Sequence, residues 1–424
     1  MTPRRSFLKS LAAPAISAPL LSGAAFADKP SASAIPPLPR PDDPAYWTKI
    51  RDQFLLARDK VFFNNGTIGA MPKVVFEKVV EHLRKMATDL ADWDYQGEEW
   101  ISGYSPMESV RAKAARLINC DVSEIGLTEN VSCANSYVAT GLDLESGSEI
   151  LMSDQEHTGG ESPWFNAAKR RGGTVTKIKI NRPVHDRDEV LYQVLSAISP
   201  RTRVIFLSHM ITGSGAILPV KEISAAARDR GILTVLDGAQ TVGQIPVDVR
   251  DIGCDAYVAC FHKWLLAPAG CGFVYLRKDF ANRVWTTLAS RQWDNHEDNG
   301  YRLTQRGTGS MSLMMGVEAA LDFHFNLGPE RVQKRIQQLG DQLREGLRKI
   351  PRIKIYSPDD NSMCAGITVY GVEGIGAQQL QDEMWKRGRL RPRANTGGVR
   401  HCTHIFNSPE EIDRALSIVR TLAA

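Results

Sequence analysis

The sequence predicts an α/β protein in which a mainly parallel sheet, covered by helices, precedes a smaller α/β unit. Two apolar runs carry the prediction. Val204-Ile205-Phe206-Leu207 and Ile232-Leu233-Thr234-Val235-Leu236 are continuous rather than alternating, as strands buried on both faces are. Between them Val220–Arg230 reads as a helix closed by Gly231, and strand, helix, strand with short joints is the mark of α/β folding. Length is the third observation: 424 residues exceed one ordinary core, so a large and a small domain are expected.

In chain order, residues 1–27 read as an address. Arg4-Arg5-Ser6-Phe7-Leu8-Lys9 is a twin-arginine pattern, followed by a weakly apolar stretch broken by Pro14 and Pro19 and by an A-x-A site at Ala25-Phe26-Ala27. This predicts export by the twin-arginine route and a periplasmic or otherwise exported protein. The two prolines argue against a membrane anchor, so none is expected after cleavage. Residues 28–60 begin as a proline-rich linker (Pro30, Pro36, Pro37, Pro39, Pro41, Pro44) and are expected to pack on the small domain. Residues 61–311 form the large domain, with candidate strands Ile125–Thr128, Glu149–Ser153, Val204–Ser208, Ile232–Asp237, Ala256–Cys260 and Gly272–Leu276. Residues 312–424 form the small domain. There Val332, Ile336, Leu339, Leu343, Leu347 and Ile350 step along one helix face. Strands near Gly366–Tyr370, Arg389–Arg393 and Val399–His404, a helix near Ala377–Arg387 and a final helix from Pro409 follow.

Charge excludes some partners. Formal net charge is +4. Taking Arg4, Arg5 and Lys9 from the 52 basic residues leaves 49 against 48 acidic ones, and a near-neutral body gives no electrostatic case for nucleic acid. The seven cysteines contain no C-x-x-C pair, so neither a zinc site nor a disulfide framework is expected.

The chemistry-bearing residues fall at strand ends. Asp237 ends an apolar run in Leu236-Asp237-Gly238-Ala239-Gln240, and the next strand ends in Cys260-Phe261-His262-Lys263-Trp264. In an open parallel sheet ligands sit outside these carboxyl ends. Alone, Asp237 reads as an N-cap and Lys263 as a surface lysine. Together they suit a Schiff-base lysine beside an acid that keeps a pyridine ring protonated as an electron sink. Glu129-Asn130-Val131-Ser132 follows a strand and opens a helix, where backbone donors and the Ser132 hydroxyl suit a phosphate; alone it is an ordinary cap.

On these motifs the chain from about Phe62 to Ala424 resembles the class V aminotransferases, fold-type I enzymes dependent on pyridoxal 5′-phosphate (PLP). The segment His262-Lys263-Trp264-Leu265-Leu266-Ala267-Pro268-Ala269-Gly270 is similar to the isopenicillin N epimerase-like branch. The resemblance implies a seven-stranded, mainly parallel sheet. It also implies a Schiff base at Lys263, Asp237 on the ring nitrogen, Gln240 near the ring oxygen and His157 stacked on the ring. Val131, Ser132, Thr212, Cys260 and His262 complete the implied cofactor contacts. Gly307 and Thr308 match a loop that reaches the neighbouring subunit's phosphate, which implies a homodimer with shared sites. Arg400 resembles the arginine that grips a substrate α-carboxylate, and Asn65 lies in a loop over the substrate side. Two departures stand out: the family often has Ser at Cys260, and desulfurases often have Asn at Thr212.

These features imply an enzyme acting at the Cα-amine of an amino acid or amino-acid-containing peptide, by epimerisation, transamination or elimination. Alternatives are an exported C–S lyase, a siderophore-tailoring enzyme similar to those that modify pyoverdines, and a non-catalytic exported binding protein. Cysteine desulfurases place a loop cysteine shortly before the carboxylate-binding arginine; residues 391–399 contain none, so persulfide chemistry is disfavoured. Cys402 reads as a packed strand residue.

Overall fold

A computed structural model describes residues 38–92 and 107–424. The predicted export signal lies outside the described residues. The strands are β1 (Val61–Phe62), β2 (Ile125–Thr128), β3 (Glu149–Ser153), β4 (Thr174–Ile178), β5 (Thr202–Ser208), β6 (Leu233–Asp237) and β7 (Ala256–Cys260). They continue with β8 (Gly272–Leu276), β9 (Ile353–Ile355), β10 (Ile367–Val372), β11 (Leu390–Arg391), β12 (Arg393–Asn395) and β13 (Gly398–Cys402).

Seven strands form one sheet in the order β2-β8-β7-β6-β5-β3-β4. The pairs from β7 through β4 are parallel; β8 runs against both its neighbours. The continuous apolar runs behave as double-faced strands must. Val204 and Phe206 of β5, Val235 of β6 and Val258 of β7 enter one core. Ile205, Leu207, Leu236 and Tyr257 enter the core on the opposite face. Each fully buried side chain of this size contributes roughly 1.5–3 kcal/mol relative to exposure. The crossover helix spans Val220–Arg228, shorter than expected at its C-terminal end, and Gly231 takes a left-handed φ of 67°.

The strand β4 escaped the sequence reading. Its residues Thr-Val-Thr-Lys-Ile are mostly exposed or half-buried at the sheet edge, so it has neither a continuous apolar run nor a clean alternation.

A second, antiparallel sheet has the order β12-β13-β10-β9. Helices Pro329–Arg348, Ala377–Gly388 and Pro409–Ala423 cover it, burying Leu339, Leu343, Leu380, Met384, Ile412 and Val419 with Tyr370 and Val399. The N-terminal segment joins this region. Tyr46, Ile50 and Phe54 pack with Ile336 and Phe406, Arg51 pairs with Glu411 at 2.5 Å, and β1 pairs in parallel with β11. All seven cysteines are free. Among the described residues no helix is long and apolar enough to cross a membrane.

Candidate active site

The tips of β6 and β7 are hydrogen-bonded neighbours, with Asp237 opposite Val258. Both open, at their carboxyl ends, on a cavity of about 420 Å³. Asp237 lines it from the end of β6, and Cys260, His262 and Lys263 line it from the end of β7. The turn after Asp237 must be glycine: a Cβ on Gly238 would lie 2.1 Å from the Tyr257 ring. Asp237 is 4% exposed and accepts from the Ala239 N–H at 2.8 Å. Burial raises its pKa, against the opposing effects of that hydrogen bond and of Lys263 and His157.

The wall of the cavity includes the start of a helix. Helix Val131–Gly141 starts here, capped by Asn130, whose side chain accepts from Cys133 N at 3.0 Å. Asn130, Val131 and Ser132 line the cavity, and first-turn N–H groups have no intrahelical acceptor. His262 adds a buried Nδ1 without a hydrogen-bond partner. Burial also keeps the Cys260 thiol pKa above its ordinary value.

His157 caps the helix Thr158–Arg171 and lines the cavity. Its Nδ1 accepts from Gly159 N at 3.1 Å. Desolvation, then the charge of Lys263, lowers its pKa, so the neutral ring carries its proton on Nε2. The preceding Glu156 ties two strand tips together. Ser153 of β3 donates to Oε1 at 2.6 Å, and Ser208 of β5 donates through its N–H and hydroxyl to Oε2 at 2.9 and 2.5 Å.

Opposite, a polar relay leads to Arg400. Gln240 donates to Gly66 O at 2.9 Å and Thr212 Oγ1 at 3.3 Å, and accepts from Trp264 Nε1 at 2.8 Å. Arg400 Nη1 donates to the same Thr212 oxygen at 2.6 Å. Two donors occupy both lone pairs of that hydroxyl, which leaves its own proton free to donate into the cavity. Arg400 Nη2 donates to Asn64 Oδ1 at 3.1 Å and Thr67 Oγ1 at 2.7 Å. Arg400 is 6% exposed, its partners among the described residues are all neutral, and its Nε has none there. A buried cation held only by neutral oxygens is ready for an anion.

Asn65, Gly307 and Thr308 do not line this cavity, and for the last two the resemblance implied the neighbouring subunit's site. Asn65 is fully buried and donates to the Lys263 carbonyl at 3.2 Å, beneath the lysine backbone. Gly307 lines a separate cavity with Arg111, Arg306 and Met311; Thr308 lines neither of these two cavities. Arg306 of that loop pairs with Glu129, next to the helix cap Asn130. Sequence reasoning passed over several lining residues: Thr67, Gly159, Gly160, Ser208, Met210, Arg393 and Asn395. For the last two a signal existed. Asn395-Thr396-Gly397-Gly398 is a two-residue hairpin turn, with Gly397 at φ 84°, and reading it as one places Arg393 opposite Arg400. Cys402 is fully buried in β13.

Comparison with known proteins adds context. The aminotransferase class-V profile matches residues 61–419. The isopenicillin N epimerase of Streptomyces clavuligerus is 31% identical over 389 residues, 87% of this chain and 96% of that protein. A probable cysteine desulfurase of Methanothermobacter thermautotrophicus is 26% identical, over 86% of this chain and 94% of that one. Among solved structures, a mutant of C-DES with glycine covalently linked to its PLP cofactor superposes with a TM-score of 0.77. It is 26% identical, over 87% of this chain and 98% of that one. A further C-DES structure describes the enzyme as a cystine C–S lyase in complex with cysteine persulfide (TM-score 0.76, 25% identical, over 86% of this chain and 98% of that one).

Proposed function

The chain belongs to the aminotransferase class-V family and is a PLP-dependent enzyme, and from that premise we propose that it breaks a bond at Cα of an amino acid or an amino-acid-containing peptide, in the manner of the epimerase-like branch. One observation carries the reading: Lys263 and Asp237 face one cavity from adjacent strand tips, with Arg400, which pairs with no carboxylate among the described residues, in the same wall.

The residues fit the cofactor. The start of helix Val131–Gly141, with Ser132 and the orphaned His262 Nδ1, suits the phosphate. Asp237 suits the pyridine nitrogen, and the free Thr212 proton suits the ring oxygen. When bound, PLP supplies the electron sink for the pair left at Cα. The protein does the rest. Lys263 would hold the cofactor aldehyde through its Nζ and, once freed by the substrate amine, would take the Cα proton; where a proton is then delivered separates the possible reactions. Asp237 would keep a proton on the ring nitrogen. His157 would cover the ring, and Arg400 would orient the α-carboxylate.

Epimerisation, transamination and elimination share this arrangement. Against persulfide transfer stands the hairpin before Arg400, where residues 391–399 hold no cysteine. The same reading includes a homodimer in which the Gly307-Thr308 loop serves the neighbouring site, and export by the twin-arginine signal. Borohydride reduction of the holoenzyme tests the lysine: the cofactor mass should appear on the peptide holding Lys263, and an adduct elsewhere refutes the assignment. Incubation with amino acids in D2O, with and without pyruvate, separates the branches. Deuterium at Cα with racemisation marks an epimerase, alanine formation an aminotransferase, and a keto acid with ammonia a lyase. Absence of all three across free and peptide-linked amino acids refutes Cα chemistry.

A further inference from the structure

Arg393 also lines the cavity, and neither the cofactor chemistry nor α-carboxylate binding uses it. It stands directly opposite Arg400 in the antiparallel pair β12–β13. Directly opposed residues of such a pair project from the same face about 5 Å apart. Asn395, two residues on and therefore on that face, lines the cavity as well. Like charges at this spacing repel, and among the described residues no carboxylate pairs with either arginine. The charged side chains lining the cavity are Lys263, Arg393 and Arg400 against Asp237 alone. Lys263 and Asp237 are assigned to the cofactor, which leaves both guanidiniums for the substrate. They differ in depth: Arg400 is buried and held by three oxygens, whereas Arg393 is exposed at the mouth.

We propose that the site takes a doubly anionic substrate, with the α-carboxylate on Arg400 and a second, distal carboxylate on Arg393. This rests on the reading of the cavity as a Cα-processing site and names its substrate class. The substrate is a dicarboxylic amino acid, or a peptide that carries a carboxylate away from the reacting carbon. Arg393 is a specificity-determining residue and has no part in bond breaking. Its planar fork matches a carboxylate bidentately, while its exposure limits the gain through solvent screening.

The test compares near-isosteric pairs on purified holoenzyme, reading affinity from the change in the visible cofactor band. The pairs are L-glutamate with L-glutamine, and L-2-aminoadipate with L-norleucine. At low salt the dicarboxylic member should bind roughly tenfold more tightly, and the advantage should shrink as salt rises. Arg393→Gln should abolish the advantage and leave L-norleucine within about twofold, and Arg393→Lys should restore part of it. Equal affinities within each pair for the unaltered enzyme overturn the proposal and need no variant to fold. A loss in Arg393→Gln that is the same for both members also overturns it. Calorimetry with glutarate, which has no amine, reads the same contact without reaction at Lys263. If amino acids leave the band unchanged while glutarate binding still depends on Arg393, the Cα reading fails and the anion site stands. If glutarate binding is indifferent to Arg393, the anion site fails.

Discussion

Glu156→Gln should change how stability depends on pH without removing any group that lines the cavity. Desolvation at the tips of β3 and β5 raises the carboxyl from its ordinary 4.5 to about 7, with Asp237 adding to the rise and the hydrogen bonds from Ser153 and Ser208 opposing it. The folded chain therefore holds this proton more tightly than the unfolded chain, by about 3 kcal/mol. For a raised acid, the stability contribution is fully present below about pH 4.5 and is lost as pH climbs through about 7. Between about pH 5 and about pH 8 the loss is about 2.5 kcal/mol. Glutamine does not titrate. Its carbonyl can accept both Ser208 donors, and its amide can donate to Ser153 once that hydroxyl rotates. With an unfolding entropy of about 2 cal/mol/K per residue, 2.5 kcal/mol corresponds to about 3 °C for a chain of this length. Thermal melts of both proteins, monitored by tryptophan fluorescence, should therefore show the Tm of Glu156→Gln minus that of the unaltered protein growing by about 3 °C between about pH 5 and about pH 8. A flat difference refutes the raised carboxyl, and a difference of opposite sign shows that the ionised form is the one the fold stabilises.

Asp237→Ala should cost roughly 100-fold or more in kcat while lowering cofactor content far less, since a preorganised charge at the ring matters most when bonds rearrange; kcat alongside bound PLP checks it, and equal losses would make Asp237 a binding residue only. Arg400→Ala should raise KM for free amino acids roughly tenfold or more through loss of a charge-assisted contact made in both ground and transition states, with Arg400→Lys between the two; an unchanged KM places the α-carboxylate elsewhere. Gly160→Ala would put a Cβ 2.8 Å from Asp237 Oδ2 and 3.2 Å from Phe206 Cζ. Because Phe206 is locked in the core, the carboxylate must yield, and PLP titration of the apoenzyme should show affinity falling roughly tenfold.

What could be read from the sequence follows from how far each feature depends on remote partners. Asp237 and Lys263 were legible because the runs before them are continuous and apolar, and such runs fix both a buried strand and the place where it ends. The paired strand tips then follow from α/β topology. Arg400 was legible through its motif, but its environment was not: Asn64 and Thr67 reach it from more than 330 positions away. No local pattern announces that contact. Asn65 shows the limit of motif reading, since the triplet Asn64-Asn65-Gly66 sits over the site while its middle side chain turns under the Lys263 carbonyl. The edge strand β4 was silent because a half-exposed strand needs few apolar residues.

The division of labour between the two sheets follows from their geometry. Parallel strands β3, β5, β6 and β7 all end on one side, so the residues just beyond them (His157, Met210, Asp237, Lys263) converge without long loops. The strands behind that edge are packed into cores on both faces, which suits a cofactor whose ring must not shift. The hairpin β12–β13 differs: its strands are short, its turn has two residues, and Arg393 at its outer strand is exposed. Substrate choice placed on the hairpin can therefore change without disturbing Lys263 or Asp237. Arg400, tied through Thr212 and Gln240 to the large sheet, belongs to both systems, and Arg393 to the hairpin alone. Substitution at Arg393 should accordingly change which substrates bind, while substitution at Arg400 should also disturb Thr212 and Gln240 and with them the cofactor's visible band. A silent band in Arg400→Ala would show that the relay does not couple the two.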